Sequence, residues 1–366
     1  MKEHKCARCL MNSGIVGVEV FDDGTCSSCS QYFAEVKRVK PVHYDSLDAL
    51  VSSIKQNRRK KYDCIVGVSG GVDSSYTLVK TIEMGLKPLA VHMDNGWNSE
   101  LANNNIKNLC EKLGVDLFTH VIDWDEYREM MNCFFKADVV DVELLYDNAM
   151  IAVNYNLARK FKIKHILAGT NHATEGIPMP SDWNWFKFDK KNIKSIVKSY
   201  NGPKFKTMPT FGVKDYIKDT YFRKIKWVDF LDYIDYTKNI ALDVLVKNYS
   251  YKPYPYKHYE SVFTRFYQGF ILPKKFNVDK RIVHLSAEVL NGDLTRDEGL
   301  KVLAKSPYDD AEKLALDTKY FLKKMKWEES DLVDYISRDK KHHAEFKSEK
   351  KLWDNLVKIY RFKAGA

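Results

Sequence analysis

A seven-residue stretch of glycines, hydroxyl-bearing residues and one acid carries the clearest chemical signal in the sequence. The stretch is formed by Ser69, Gly70, Gly71, Val72, Asp73, Ser74 and Ser75. Glycines allow a tight turn, and the serines lie beside the free N–H groups that open a predicted helix. We therefore expect a phosphate-binding loop. The glycine spacings of the Walker A loop and of the dinucleotide-binding turn do not occur. The alternative to a phosphate-binding loop is an ordinary Gly-Gly turn capped by serine.

Four of the seven cysteines form two C-x2-C pairs separated by sixteen residues. They are Cys6, Cys9, Cys26 and Cys29. This is the spacing of a four-cysteine zinc ribbon, in which the completed tetrahedral shell leaves no position for substrate. We expect a structural Zn2+ site, with a short hairpin over 15–21 and a turn at 22–24. The alternative, a redox pair of C-x-x-C motifs, lacks the usual strand-then-helix context.

Short apolar runs alternate with helical periodicity between about residues 61 and 176, which predicts a parallel α/β sheet. Strands are predicted at 63–68, 88–93, 116–122 and 165–169. Helices are predicted at 74–84, 99–113, 125–135 and 142–161. The expected fold is doubly wound, with its ligand crevice beyond the carboxyl ends of the strands. The phosphate loop follows the first strand at such an end.

The seven-residue stretch resembles the signature of the PP-loop ATP pyrophosphatases, which cleave ATP between its α- and β-phosphates. The resemblance implies that the loop holds the departing pyrophosphate. In this chain that role falls to Ser69, Gly70, Gly71, Asp73, Ser74 and Ser75.

Two later strand ends fit the same resemblance. The segment containing His92 and Asp94 resembles the family's second strand, where backbone atoms contact adenine and an acidic side chain helps to hold Mg2+. Asp94 and Asp73 are the candidate magnesium ligands. The residues that match the family's Gly-[ST]-Asn segment, which closes over the nucleotide, are Gly169, Thr170 and Asn171. In the alternative interpretation, Asp94 and the following His172 are turn or capping residues.

A narrower resemblance covers essentially the whole chain. The cysteine pairs, the loop and a C-terminal signature at 256–260, 263–269 and 279–286 resemble the N-acetyl sugar amidotransferases of bacterial surface-polysaccharide and flagellin-sugar pathways. The implied acceptor is an N-acetylated sugar or nucleotide sugar. Its acetamido oxygen would attack the α-phosphorus of ATP, and ammonia would then replace the adenylated oxygen, giving an acetamidino sugar with AMP and pyrophosphate.

Nucleotidyl transfer depends mainly on positioning the reactants and neutralising charge. We therefore expect Asp73 and Ser74 to act together with cations from the second half of the chain. Arg265, Lys280 and Arg281 are the candidates for steadying phosphate or a sugar carboxylate. Each of the three could equally form a surface or interdomain ion pair.

The three cysteines outside the two pairs help to distinguish an amidotransferase from the alternative functions. Cys64, Cys110 and Cys133 fall in a predicted strand and two helices, and we expect them to be small core residues. They offer no glutaminase arrangement, so the resemblance implies that ammonia comes from a separate glutaminase and cyclase-like protein pair. The alternative, a PP-loop tRNA thiolase, needs a sulfur-carrying cysteine and an RNA surface. A second alternative is a non-catalytic nucleotide-binding module. Such a module would be expected to have a degraded loop, whereas the glycines and the aspartate of this loop are present.

Composition and charge indicate which partners and which compartment to expect. The 366 residues carry a net charge of +10, but lysine is spread along the chain, which favours a solvated surface over a nucleic-acid footprint. The first residues lack the apolar region of a secretion signal, and no apolar run approaches the roughly 18 residues of a membrane span. We therefore expect a cytoplasmic protein with no membrane partner.

Three parts are predicted along the chain. They are a zinc ribbon at 1–40, a PP-loop ATP-binding domain at 41–185 and a mainly helical acceptor domain at 186–366. For two features the sequence leaves two interpretations open. Trp183 and Trp185 either cover the sugar as a lid or anchor the domain junction. The tyrosine-rich segment 249–259 either shapes the acceptor pocket or packs the domain interface.

Overall fold

Five parallel strands form the sheet that positions the predicted site. In this computed structural model, the described residues are 4–38, 44–56, 61–254, 260–308 and 310–364. The strands are β1 (Cys64–Gly67), β2 (Pro88–Asp94), β3 (Leu117–Val121), β4 (His165–Ala168) and β5 (Lys226–Asp229). Their order is β3-β2-β1-β4-β5, and every pair is parallel. Because the chain winds to both sides of β1, the carboxyl ends of β1 and β4 meet at a topological switch point.

Sixteen α-helices are found in the described part of the chain. They are α1 (Ser27–Arg38), α2 (Leu47–Lys55), α3 (Val72–Glu83), α4 (Glu100–Leu113), α5 (Trp124–Lys136), α6 (Leu144–Lys160), α7 (His172–Glu175), α8 (Lys190–Ser199), α9 (Val213–Ile217), α10 (Lys238–Tyr249), α11 (Val262–Phe266), α12 (Arg281–Asn291), α13 (Arg296–Ala304), α14 (Ala311–Met325), α15 (Glu329–Ser337) and α16 (Lys350–Ala364). Wider π-helical turns, Lys218–Phe222 and Tyr267–Phe276, follow α9 and α11, and short 3-10 turns span Phe230–Tyr233 and His343–Glu345. None of these helices has the length and apolar character needed to span a membrane.

The doubly wound sheet confirms the predicted fold class, and the four predicted strands and helices lie within two residues of their predicted ends. β5 was not predicted, because a four-residue strand beginning with lysine and ending with aspartate has no apolar run. In the ribbon, the predicted turn at 22–24 is present inside a bridge between Val20 and Cys26, but residues 15–17 form a turn instead of a strand. The three domain bounds stay a prediction.

Side chains that alternate along the strands divide the core between the two faces of the sheet. On one face, Ile65 of β1 belongs to the cluster that includes α5, α6 and the helices after residue 260. On the other face, Cys64 and Val66 pack with α2, α3, α4 and α10. Rings from α5, α11 and α14 meet in the first cluster, where Phe135 and Phe321 lie 5.8 Å apart between centroids. The C-terminal helices therefore share a core with the parallel sheet.

Candidate active site and metal site

The phosphate loop connects β1 to α3 and closes on itself through serine hydroxyls. The Oγ atoms of Ser69 and Ser74 lie 3.1 Å apart, and the Gly71 N–H donates to Ser69 Oγ over 3.2 Å. Gly70 has a φ of +85°, which favours glycine, and Gly71 lies at the N-cap of α3. Ser75 is buried in the first turn of the helix. Hydroxyls and backbone N–H groups thus converge on one small cradle, the arrangement that binds phosphate.

The Gly-Thr-Asn segment after β4 lies directly on this loop. A Cβ atom placed on Gly169 would come within 2.8 Å of the backbone of Asp73 and Ser74, so only glycine allows the approach. Thr170 donates a hydrogen bond to Asp229 at the end of β5. Asn171 caps α7 by accepting the N–H of Thr174. The structure therefore brings two of the predicted segments together at the switch point.

The third predicted segment, at the end of β2, is held by a local hydrogen-bond network. His92 Nδ1 donates to Val68 O at 2.9 Å, and His92 Nε2 accepts from Asn98. Burial lowers the pKa of His92, which keeps the imidazole neutral for this pattern. Asp94 accepts from Gly96 N at 2.8 Å, so its carboxylate has the turn role of the alternative interpretation. Its contact with nucleotide or magnesium stays a prediction.

The carboxylates near the loop suit magnesium, because Mg2+ is usually held by one or two carboxylates together with substrate phosphates. Asp73 lies in the first turn of α3, and Asp94 ends β2. Glu260 also approaches, since its Oε1 lies 3.3 Å from the position that a Cβ on Gly71 would take. The assignment of Asp73 and Asp94 as magnesium ligands stays a prediction.

Two tyrosines that the sequence did not assign to the site contact the loop. Tyr251 donates its hydroxyl hydrogen to Gly70 O at 3.0 Å, and Tyr236 donates to Asp73 Oδ1. Tyr251 belongs to the tyrosine-rich segment 249–259, so this part of the segment contacts the phosphate loop. Residues 255–259, including part of the C-terminal signature, lie outside the described residues.

A cavity of about 350 Å3 extends from the loop towards the C-terminal helices. Ser69 lines it on the loop side, and Asn95 and Asn98 line it after β2. Residues between 260 and 284 also line it, as do Glu175 and residues 177–179. Its volume is in the range of small-molecule sites. The cavity thus joins the phosphate loop to the C-terminal region.

Charged side chains of both signs line this cavity, and those of Lys187 and Asp147 are 27% and 34% exposed. Lys280 pairs with Glu143 at 2.9 Å, and Gln268 donates to the same carboxylate at 2.8 Å. Burial favours a raised pKa for Glu143, but Lys280 and Gln268 outweigh it and lower the pKa. Lys187 pairs with Asp147 at 2.8 Å, yet burial still raises the pKa of Asp147. Two neighbouring carboxylates with opposite shifts can take different proton-transfer roles.

The three predicted cations have different surroundings. Lys280 lines the cavity. Arg265 makes a two-pronged ion pair with Asp317, at 2.7 and 2.6 Å. Arg281 pairs with Asp279 at 2.7 Å and donates to backbone carbonyls near the end of α13. The geometry favours Lys280 as the group that meets the acceptor, and the catalytic role of all three stays a prediction.

The four ribbon cysteines meet at one point. Their Sγ atoms all lie within 4.8 Å of one another. Cys6 and Cys29 are 3.7 Å apart, and Cys9 and Cys26 are 3.6 Å apart. Zn–S bonds of about 2.3 Å in a tetrahedron give sulfur–sulfur edges of about 3.8 Å. The donor set and spacing therefore fit a tetrahedral metal ion, and its identity as zinc stays a prediction.

The ribbon is fastened to the C-terminal helices. Arg296 of α13 donates to the carbonyls of Cys6 and Cys9, at 2.8 and 3.1 Å. The Leu10 N–H donates to Ser286 Oγ of α12 at 3.1 Å. His284, on the same helix, lines the cavity. The metal site therefore supports a wall of the candidate acceptor pocket.

The other cysteines and the two tryptophans are core residues. Cys64, Cys110 and Cys133 are buried, as predicted, and burial raises the pKa of the latter two to about 11. Trp183 and Trp185 are also buried. The Trp185 N–H donates to the deeply buried Asp141, and its ring stacks on His343. This packing favours the anchoring interpretation for Trp185.

Comparisons with protein families agree with this geometry. Residues 42–178 match the family model described as NAD synthase, so this part of the chain is a domain of the PP-loop ATP pyrophosphatase class. Residues 260–360 match the model described as LPS biosynthesis protein WbpG-like, C-terminal domain. Together the two matches support a WbpG-like PP-loop protein, in agreement with the resemblance of the sequence.

Several solved structures show a limited similarity to this chain. The NH3-dependent NAD synthetase from Campylobacter jejuni is 15% identical with a TM-score of 0.29, over 67% of this chain and 93% of that chain. The NMN synthetase from Francisella tularensis is 14% identical with a TM-score of 0.29, over 62% and 98%. A U34-tRNA thiolase from Methanococcus maripaludis is 14% identical with a TM-score of 0.32, over 80% and 90%. These scores carry no functional argument. No curated protein matches the sequence.

Proposed function

We propose that this protein is an ATP-dependent amidotransferase of surface-polysaccharide biosynthesis. It adenylates the acetamido oxygen of an N-acetyl sugar or nucleotide sugar and replaces that oxygen with ammonia. The observation that carries the proposal is the cavity, because Ser69 of the phosphate loop lines it together with Lys280 and Gln268. An acceptor held there would lie beside the phosphates of ATP.

The chemistry follows from the poor leaving ability of an amide oxygen. Bound ATP with Mg2+ supplies an electrophilic α-phosphorus, and the acetamido oxygen attacks it as pyrophosphate departs. Ammonia then adds to the activated carbon, and AMP leaves with the former amide oxygen. The phosphate loop would hold pyrophosphate through Gly71 N–H and the hydroxyls of Ser69 and Ser74, which positions the reactants without a covalent enzyme intermediate.

The charged groups of the cavity suit the acceptor half of this reaction. Ammonium must lose a proton before it can attack, and a carboxylate with a raised pKa is a better base than an ordinary one. Asp147 has that property, while Glu143 stays ionised beside Lys280 and Gln268. We assign proton acceptance to Asp147 and orientation of the sugar to Lys280 and Gln268.

Ammonia would come from a separate glutaminase and cyclase-like protein pair. The cysteines outside the ribbon are buried with raised pKa values, which suits neither a glutaminase nucleophile nor a sulfur carrier. This is also the reason to prefer the amidotransferase over the tRNA thiolase. A thiolase should lose activity when Cys64, Cys110 or Cys133 is replaced by alanine.

Product analysis by mass spectrometry tests the proposal. The protein is incubated with ATP, Mg2+, ammonium and a panel of acetamido sugars, free and nucleotide-linked. A sugar in which NH has replaced O, formed together with equimolar AMP, supports the proposal, and Asp73→Ala should abolish both products while leaving the fold intact. AMP formed only with tRNA, or a fully active Asp73→Ala variant, would contradict it.

A further inference from the structure

Two tyrosines that flank α10 hold the phosphate loop at two points. Tyr236 lies just before the helix and Tyr251 just after it. Their hydroxyls donate to Asp73 Oδ1 and to Gly70 O respectively. The rings are only 7% and 3% exposed, so little water competes for these hydrogen bonds. Both contacts join the loop to a segment more than 150 residues away along the chain.

Tyr251 fixes the direction of a phosphate-binding N–H group. In a planar trans peptide, the carbonyl and the following N–H point in opposite directions. The Tyr251 hydroxyl holds the Gly70 carbonyl on one side, so the Gly71 N–H is directed to the other side, towards Ser69 Oγ at 3.2 Å. Ser69 lines the cavity. Loss of the hydroxyl would free this peptide to rotate away from the cradle.

Tyr236 acts on the carboxylate at the other end of the loop. Its ring packs near Tyr76 of α3, with centroids 5.9 Å apart, which fixes the hydroxyl relative to the helix. The hydrogen bond to one oxygen of Asp73 restricts rotation of the carboxylate. Asp73 is the candidate magnesium ligand of the loop, so the tyrosine sets how that ligand is presented.

We infer that Tyr236 and Tyr251 form a positioning clamp for nucleotide binding, with Tyr251 setting the affinity for pyrophosphate and Tyr236 setting the magnesium dependence. The inference rests on the ATP-binding role in the proposed function, but not on the acceptor. Neither tyrosine needs to touch the reacting atoms. A preorganised loop would avoid the cost of ordering itself when ATP arrives.

Calorimetric titration of the full chain with magnesium pyrophosphate and with ATP tests the clamp without any sugar. Tyr251→Phe should bind pyrophosphate about tenfold more weakly, which corresponds to about 1.4 kcal/mol. The matched control is Tyr62→Phe, which removes a hydroxyl bond to Asp116 of 2.6 Å at the opposite end of β1. The control should bind as the unmodified protein does.

Tyr236→Phe should raise the Mg2+ concentration needed for half-maximal ATP binding, and it should add nothing in an Asp73→Asn background. A merely structural tyrosine would lower the melting temperature equally in both backgrounds without that dependence on Asp73. If both phenylalanine variants match Tyr62→Phe, the clamp is overturned while the proposed function stands. If the unmodified protein binds neither ligand, the ATP role of the loop fails, and the clamp fails with it.

Discussion

The rings of Tyr32 and His172 pack against each other with their centroids 4.2 Å apart and their planes tilted by 38°. Tyr32 belongs to the helix that carries the last ribbon cysteine, and His172 follows the Gly-Thr-Asn segment beside the phosphate loop. Gly176 closes the contact, because a Cβ there would come within 2.7 Å of both rings. This ring contact joins the metal ribbon to the segment beside the phosphate loop.

Replacing Tyr32 by leucine should weaken ATP binding without loss of metal. The substitution leaves space beside His172, so the Gly-Thr-Asn segment beside the phosphate loop loses its support. We expect about fivefold weaker binding, an effect typical of residues that act on a site without touching the ligand. Calorimetry measures the change, and Phe33→Leu on the same helix is the control. Equal ATP affinity in the two variants would contradict the prediction that the ribbon supports the nucleotide site.

Removing the metal should destabilise the ribbon and the cavity wall together. Small metal domains derive much of their folding free energy from the ion. Elemental analysis should find one zinc per chain, and Cys26→Ser should lose it with a clear fall in melting temperature. Cys133→Ala, which removes a buried thiol outside the cluster, should keep the metal. Iron in place of zinc, or a metal-free protein of unchanged stability, would refute the assignment.

The sequence predicts the sheet well because its signals are local. The apolar runs of β1, β2 and β4, the capping serine Ser99 before α4 and the cysteine spacing all lie within short stretches. The site is different, because Tyr236, Tyr251 and Lys187 reach it through contacts across the sheet or between helices. No local pattern encodes such contacts. The fifth strand was missed for a related reason, since its pairing with β4 defines it.

Two acids of the candidate acceptor pocket have a recognisable sequence pattern. Glu143 and Asp147 are two acids four residues apart at the start of a helix whose first half is mainly apolar, and acids in such a setting often have charged partners. Gln268 lies within the C-terminal signature, in the segment 263–269. The pattern would have pointed to a buried polar site on α6. It would not have shown that Lys187 and Lys280 are the partners.

Lys280→Met should destabilise the protein by about 3 to 5 kcal/mol, because it leaves the Glu143 carboxylate buried without its cation. Adding Glu143→Gln should recover much of that stability, as measured by urea unfolding. If Lys280 also orients the acceptor, the double variant should remain inactive despite its recovered stability. Recovery of activity along with stability would make Lys280 a structural residue only.

The ion pair also predicts an acid dependence. The folded-state pKa of Glu143 lies below its ordinary value of 4.5, so its ionisation stabilises the fold above that pH. This contribution is lost as the pH falls through the folded-state pKa. The difference in unfolding free energy between the unmodified protein and Glu143→Gln should therefore shrink below about pH 4.5. A difference that stays constant on acidification would remove the stabilising role of this carboxylate.

The most direct test of the central claim follows the acetamido oxygen itself. An acceptor sugar labelled with the heavy oxygen isotope at the acetamido carbonyl is incubated with ATP, Mg2+, ammonium and the protein, and the AMP is analysed by mass spectrometry. Adenylation of the amide oxygen predicts that the label appears in the phosphate of AMP, in proportion to the acetamidino sugar formed. Unlabelled AMP accompanied by an acetamidino product would contradict the account.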